Sequence, residues 1–161
     1  MQINPDNIRD FRNALGGFPT GVTIITAQGG NGALAGMTAS SFNTVSMDPP
    51  LILWSITRGA TYFPVFDEAS HFSVNVLAED QQELSNGFAK EGKKPFDGIS
   101  FGTGLGGAPL FDGCVAQFQC ETWAKYDGGD HVIIVGKVIE FESSDKTPLV
   151  FAGGGYKKLT K

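Results

Sequence analysis

Residues 114–142 read CVAQFQCETWAKYDGGDHVIIVGKVIEFE. Two long strand signals, Cys114–Tyr126 and Val132–Glu142, flank the turn residues Asp127-Gly128-Gly129-Asp130. Working upstream, His71–Leu77 sets Phe72, Val74 and Val76 against Ser73 and Asn75, the period of a half-buried strand. Leu51–Thr57 is an apolar strand, set off by the breaker Asp48-Pro49-Pro50. Gly21–Ala27 alternates β-branched residues, and Gly29-Gly30-Asn31-Gly32 turns it back onto a strand predicted over Ala33–Val45. Downstream, Leu149–Phe151 is a last short strand, and Gly153-Gly154-Gly155 leads to Tyr156.

Helical signals are few. Asn4 as cap, Pro5 at the first position and Asp6 in the first turn open a helix with Ile8, Phe11 and Leu15 on one face, closed by Gly16-Gly17. Ala60–Ala69 predicts a short helix that tolerates Pro64 only in its first turn. Asp80 with Glu83 forms a capping-box pattern before Leu84 and Phe88. Lys90–Gly113 reads as loop. Strand runs separated by turns predict a mainly β, antiparallel sheet that closes into a barrel or sandwich. Regular strand–helix alternation is missing, which excludes a doubly wound sheet.

A chain of 161 residues predicts a single domain, 1–161. Hydrophobic residues make up 41% and charged residues 18%, a composition that excludes intrinsic disorder. The 22 glycines follow no three-residue period, which excludes collagen. The net charge of −5 argues against nucleic acid as a partner, and the longest basic cluster is Lys93-Lys94. Apolar runs such as Val132–Val135 are far shorter than the roughly 20 residues of a membrane span. The N-terminus lacks a basic-then-apolar leader, so no membrane association and a cytoplasmic location are expected.

The reactive residues are sparse. Cys114 and Cys120, read on one strand, would lie roughly 20 Å apart, beyond disulfide reach, and pack as small hydrophobes. No Cys/His spacing resembles a zinc site, so no metal is expected. Gly102-Thr103-Gly104-Leu105-Gly106-Gly107 matches GxGxxG, but Pro109 follows where a dinucleotide fold needs a helix, so it reads as a loop. His71 reads as structural or surface. His131 stands at a strand mouth beside Asp130 and flexible glycines, where function and a plain turn histidine are both open. The run Gly36-Met37-Thr38-Ala39-Ser40-Ser41-Phe42-Asn43-Thr44 reads as strand but is rich in small hydroxyl residues. Such a run lets a flat ligand approach the backbone, with Met37 and Phe42 as apolar flanks; the alternative is an edge strand with a polar face. Gly59-Ala60-Thr61, at the start of a predicted helix, is a second candidate, for a phosphate.

Together, the following segments resemble the short-chain flavin reductase family, the reductase components of two-component flavin-dependent monooxygenases. They are Phe11-Arg12-Asn13-Ala14, Pro19–Thr23, Gly36–Phe42, Asp48–Leu51, Phe72–Leu77, Phe88-Ala89, Pro109-Leu110 and Gly129-Asp130-His131. In length and layout the chain looks most like the phenol and hydroxyphenylacetate hydroxylase reductases. The resemblance implies an FMN-binding split barrel: six antiparallel strands in Greek-key order with flanking helices, as a homodimer. It also implies the activity. NADH or NADPH gives a hydride to FMN or FAD, and the reduced flavin serves a partner monooxygenase. By the same resemblance, Thr38, Ala39, Ser40, Ser41 and Phe42 form the flavin-ring and ribityl strand, with Thr44 nearby. Ser55, Gly59, Ala60 and Thr61 form the phosphate end with Arg58, and Phe88 and Ala89 belong to the same pocket. His131 matches the histidine associated with nicotinamide binding and hydride transfer, Asp130 orients it, and Tyr156 borders the nicotinamide side. The family often has a basic residue where this chain has Gly155; Lys157 or Lys158 could take its place.

This chemistry suits a chain with few reactive residues. Hydride transfer between two cofactors needs neither a protein nucleophile nor a metal, only binding, orientation and electrostatics. Rival readings are a non-enzymatic flavin-binding or electron-carrier protein on the same fold, a pyridoxamine-phosphate oxidase relative, and a plain interaction module.

Overall fold

The computed structural model describes residues 1–90 and 94–160, so Lys93 of the basic cluster lies outside the described residues. Three helices, α1 (Ile8–Gly16), α2 (Phe63–Glu68) and α3 (Gln82–Ala89), accompany twelve strands. The strands are β1 (Thr20–Gly21), β2 (Thr23–Gln28), β3 (Leu34–Ala39), β4 (Asn43–Met47), β5 (Pro50–Thr57) and β6 (His71–Val76). They continue with β7 (Gly102–Thr103), β8 (Pro109–Leu110), β9 (Ala116–Gly128), β10 (His131–Ser143), β11 (Val150–Ala152) and β12 (Gly155–Lys157).

Seven strands form one antiparallel sheet in the order β3-β2-β6-β9-β10-β5-β4. Laid flat, its outer strands would be about 29 Å apart at ~4.8 Å per strand. They are joined in sequence by Ser40, Ser41 and Phe42 alone, a connection that reaches at most about 14 Å. The sheet must therefore curl until β3 and β4 approach, which makes it a barrel split at that junction. Ser41 fastens the seam. Its Oγ accepts from the Ser55 N–H at 3.0 Å and donates to the Ser55 carbonyl at 3.1 Å. Phe42 stacks on Phe118, with ring centroids 5.8 Å apart.

The single strand predicted over Ala33–Val45 is thus two strands, and the six strands implied by the family become seven. The break carries no Gly or Pro to announce it. It occurs because the chain must leave one edge of the sheet and join the other.

Alternation along β2 builds two cores. Ile25 faces the barrel interior with Trp54, Ile56, Phe72 and Ile134, while Ile24 faces outward to Leu77, Phe88, Phe111 and Leu149. Trp54 packs edge-on against Phe66 of α2 at 4.9 Å. Gly136 is required for this closeness: a Cβ there would lie 2.4 Å from Phe72 Cζ. The buried Asn75 ties the outer core together, donating to the Ile24 carbonyl and accepting from the Phe111 N–H and from Gln117.

Other expectations need correction. Asp80 does not cap α3: the cap position is Gln81, whose side chain is engaged with the Ala78 N–H and the Asp112 carbonyl. The helix predicted from Ala60 begins at Phe63, with Pro64 in its first turn. Cys114 precedes β9, so the two cysteines do not share a strand. Both are buried free thiols, and burial pushes them up to about 11 and about 12. The GxGxxG stretch forms the small β7–β8 hairpin around a 3-10 turn rather than a plain loop. β12 is a strand that the glycine run concealed. The N-terminal α-helix starts later than expected: Asn4 Oδ1 accepts from the Asp6 and Asn7 N–H groups of a 3-10 turn, Pro5–Asn7, and α1 follows from Ile8. No described helix is long and apolar enough to cross a membrane.

Candidate functional site

β3 is one of the two outer strands of the sheet, so one row of its backbone N–H and C=O groups faces away from the ladder. Two adjoining clefts run along it, sharing Thr38 and Ala89. The first, about 100 Å3, lies between Gly36–Thr38 and the Ala60–Tyr62 turn, with Phe88 and Lys90 on the α3 side. The second, about 220 Å3, lies between Ala39, Ser40 and Ser85 on one side and Phe151 and Tyr156 on the other. The walls are mostly small side chains. Gly36 lets the backbone lie against Phe88, where a Cβ would come within 2.6 Å of the ring.

Partly buried hydrogen bonds around Ser85 hold the α3 end. Thr38 Oγ1 donates to the Ser85 carbonyl at 2.6 Å. Ser85, fully buried, places its Oγ 2.7 Å from the Tyr156 hydroxyl, and Tyr156 donates to Asn86 Oδ1 at 3.0 Å. Ser85 therefore donates to Tyr156 and joins the floor of the groove to its C-terminal wall.

The opposite end is built at the β9–β10 turn. His131 begins β10 directly across from Thr57, the last residue of β5. Its Nδ1 lies 2.6 Å from Asp130 Oδ1, and its Nε2 lies 3.1 Å from Thr57 Oγ1. The hydrogen bond from His131 holds the exposed Asp130 carboxyl below the usual carboxylate range. The Thr57 carbonyl accepts from the Ala60 N–H, so the strand end that pairs with His131 leads into the turn lining the first cleft; His131 itself lines neither cleft.

Of the residues singled out from sequence, Thr38, Ala39, Ser40, Ala60, Thr61 and Ala89 line the two clefts, as do Phe88 and Tyr156. Ser41, Phe42 and Ser55 serve the barrel seam instead. Thr44 lies on the exposed edge strand β4, paired with Ile52, and lines neither cleft. Gly59 is in the turn before α2, with open space where a Cβ would stand. The Arg58 guanidinium pairs with Asp127, its Nε donates to the Gly129 carbonyl, and Arg58 lines neither cleft. His71 bonds to Ser70 and lies 4.0 Å from Glu121. Sequence reasoning missed Ser85 and Thr57. A serine inside a helix and a β-branched residue at a strand end carry no signal that separates them from ordinary structure.

Fold and groove together define a class: a split barrel with an open strand edge lined by small side chains. The flavin reductase like domain family matches residues 15–160, and the chain belongs to that family. It is 44% identical over 156 residues to the FMN reductase (NADH) SmoA of Agrobacterium fabrum, a match covering 97% of this chain and 88% of that one. It is 42% identical over 151 residues to the reductase component of the flavin-dependent trigonelline monooxygenase of Acinetobacter baylyi. That match covers 94% of this chain but 47% of the relative, so the chain spans about half of that protein's length. The NADH:FAD oxidoreductase SgcE6 of Streptomyces globisporus, solved with NAD and FAD fragments, superposes with a TM-score of 0.92 at 33% identity. That superposition covers 99% of this chain and 97% of the other.

Proposed function

We propose that the protein is an NAD(P)H:flavin oxidoreductase that holds FMN or FAD in the groove along β3 and supplies reduced flavin to a partner monooxygenase. The observation that carries this reading is the open backbone edge of β3, faced with small side chains and flanked by α3 and the Tyr156 tail. The groove suits a flavin, because unpaired backbone donors and acceptors match ring heteroatoms and small walls admit a flat ring. When bound, the flavin supplies the redox chemistry, accepting a hydride from NADH or NADPH.

The protein's contribution is binding and orientation. In this reading Thr38, Ala39 and Ser40 face the ring, Phe88 and Ala89 limit its depth, and Tyr156 borders the nicotinamide side. Gly59, Ala60 and Thr61 receive the phosphate end, with the Lys90 ammonium at the cleft as the nearby cation. His131, held by Asp130, meets the nicotinamide. Ser41, Phe42 and Ser55 act by closing the barrel that fixes β3. A homodimer in the cytoplasm belongs to the same reading. The exposed apolar residues Ile8, Phe11 and Leu15 on α1 and Trp123 and Phe141 on the long hairpin support the dimer.

The test is Ser40→Trp, at an exposed cleft position outside any strand. Flavin affinity is expected to fall about tenfold or more, the loss from filling a contact surface, while the far-ultraviolet spectrum is retained. Unchanged affinity would place the flavin elsewhere.

A further inference from the structure

We infer that Thr57 is a positioning residue for His131: with Asp130 it holds the neutral imidazole as the Nδ1–H tautomer, with Nε2 already accepting a hydrogen bond. The inference rests on the reading that His131 serves the nicotinamide side.

An ionised carboxylate only accepts, so the 2.6 Å contact between Asp130 Oδ1 and His131 Nδ1 requires the proton on Nδ1. That leaves Nε2 of the neutral ring as an acceptor. The Thr57 hydroxyl, 3.1 Å away, can donate or accept, and here it must donate. If the ring gains a proton, the hydroxyl reverses and accepts from Nε2–H, so the tether holds in both charge states. Thr57 is the direct cross-strand partner of His131, which gives the contact a fixed register.

The next residue secures the other side of the turn. The Arg58 N–H donates to the Asp130 carbonyl at 3.0 Å, and its Nε donates to the Gly129 carbonyl at 3.1 Å. Its guanidinium also pairs with Asp127. The strand end Thr57-Arg58 thus grips the turn at four points, from Asp127 to His131. With both ring nitrogens engaged and the side chain 42% exposed, His131 offers its face and carbon edge to a ligand rather than a free nitrogen. It acts as an oriented surface whose Nε2 keeps its Thr57 partner whether the ring is neutral or charged.

The test compares Thr57→Val, which keeps the shape and removes the hydroxyl, with Thr57→Ser, which restores it. The tautomer is read by nitrogen-15 NMR at alkaline pH, where an ordinary imidazole is neutral. His131→Ala assigns the signals, since His71 is the other histidine. The wild type is expected to show Nδ1–H with an Nε2 shift typical of an acceptor, and Thr57→Val to lose that acceptor shift. Stopped-flow reduction of flavin should slow roughly 3- to 10-fold in Thr57→Val, the weight of one ordinary hydrogen bond, with flavin affinity unchanged. Thr57→Ser should recover most of the rate. An Nε2–H tautomer, or an Nε2 shift unmoved in Thr57→Val, would overturn the tether. A rate lost in His131→Ala but kept in Thr57→Val would overturn the positioning role. Rates kept in both variants would remove His131 from the reaction, and with it any role for Thr57 there, while the tautomer result would still show whether the tether exists.

Discussion

At the α3 end of the groove, Ser85 is fully buried and links Thr38 to Tyr156; at the turn end, His131 is 42% exposed and its two hydrogen bonds face solvent. Hydrogen bonds that serve a fully buried group such as Ser85 are costlier to lose, because that group stays desolvated. Exposed ones cost little to stability, because water replaces the missing partner. The contrast separates two tasks. The α3 end is part of the fold and sets the shape of the groove. The turn end can change without harm to the fold, so substitutions there report on chemistry more cleanly than on stability.

The sharpest challenge to the contrast is Gly36→Val. Its Cβ would meet Phe88 at 2.6 Å and Phe96 at 2.9 Å, and those two rings pack on each other at 4.9 Å. We expect a stability loss of about 1–3 kcal/mol in urea unfolding, together with weaker flavin binding. Next come Ser85→Ala and Tyr156→Phe, each expected to cost about 1 kcal/mol. The double variant should lose clearly less than the sum, since both remove one contact. Strict additivity would show that the two hydroxyls do not act together.

His131→Ala should leave stability within about 0.5 kcal/mol while slowing flavin reduction more than it weakens flavin binding. A large stability loss there would erase the distinction between the two ends. The smallest effect concerns acid. The lowered Asp130 value means that the stabilisation from its pair with His131 is present above the ordinary carboxylate range. It is lost as the pH falls through the lowered value. Asp130→Asn should therefore differ slightly from wild type near neutrality and converge with it in acid, as read by the His131 ring signals. Convergence at high pH instead would reverse the sign of the linkage.

Local signals were legible in the sequence. The Gly29–Gly32 turn paired β2 with β3, the alternation in His71–Leu77 marked β6, and Asp127–Asp130 marked the turn of the long hairpin. What could not be read was set by distant partners. β6 pairs with β9, and β10 with β5, across long stretches of chain, and no residue pattern encodes those choices. The seam at Ser40–Phe42 follows from closure of the sheet, so its hydroxyls looked like ligand groups when some of them are structural. Ser41 is the clearest case: it belongs to the hydroxyl-rich run, yet its oxygen both donates to and accepts from the Ser55 backbone. Thr38 stood out through the hydroxyl-rich run and His131 through its place at a strand mouth, and the family resemblance supplied the role expected of each. Ser85 and Thr57, which hold the two ends, did not stand out, because their chemistry exists only where the fold brings a partner to them.

The central claim is that this groove serves nicotinamide-driven flavin reduction. The most direct measurement mixes purified protein anaerobically with NADH or NADPH and each of FMN, FAD and riboflavin, and follows flavin bleaching. The account predicts bleaching far faster than without protein for at least one pair, and its loss in Ser40→Trp. No acceleration with any pair would contradict it.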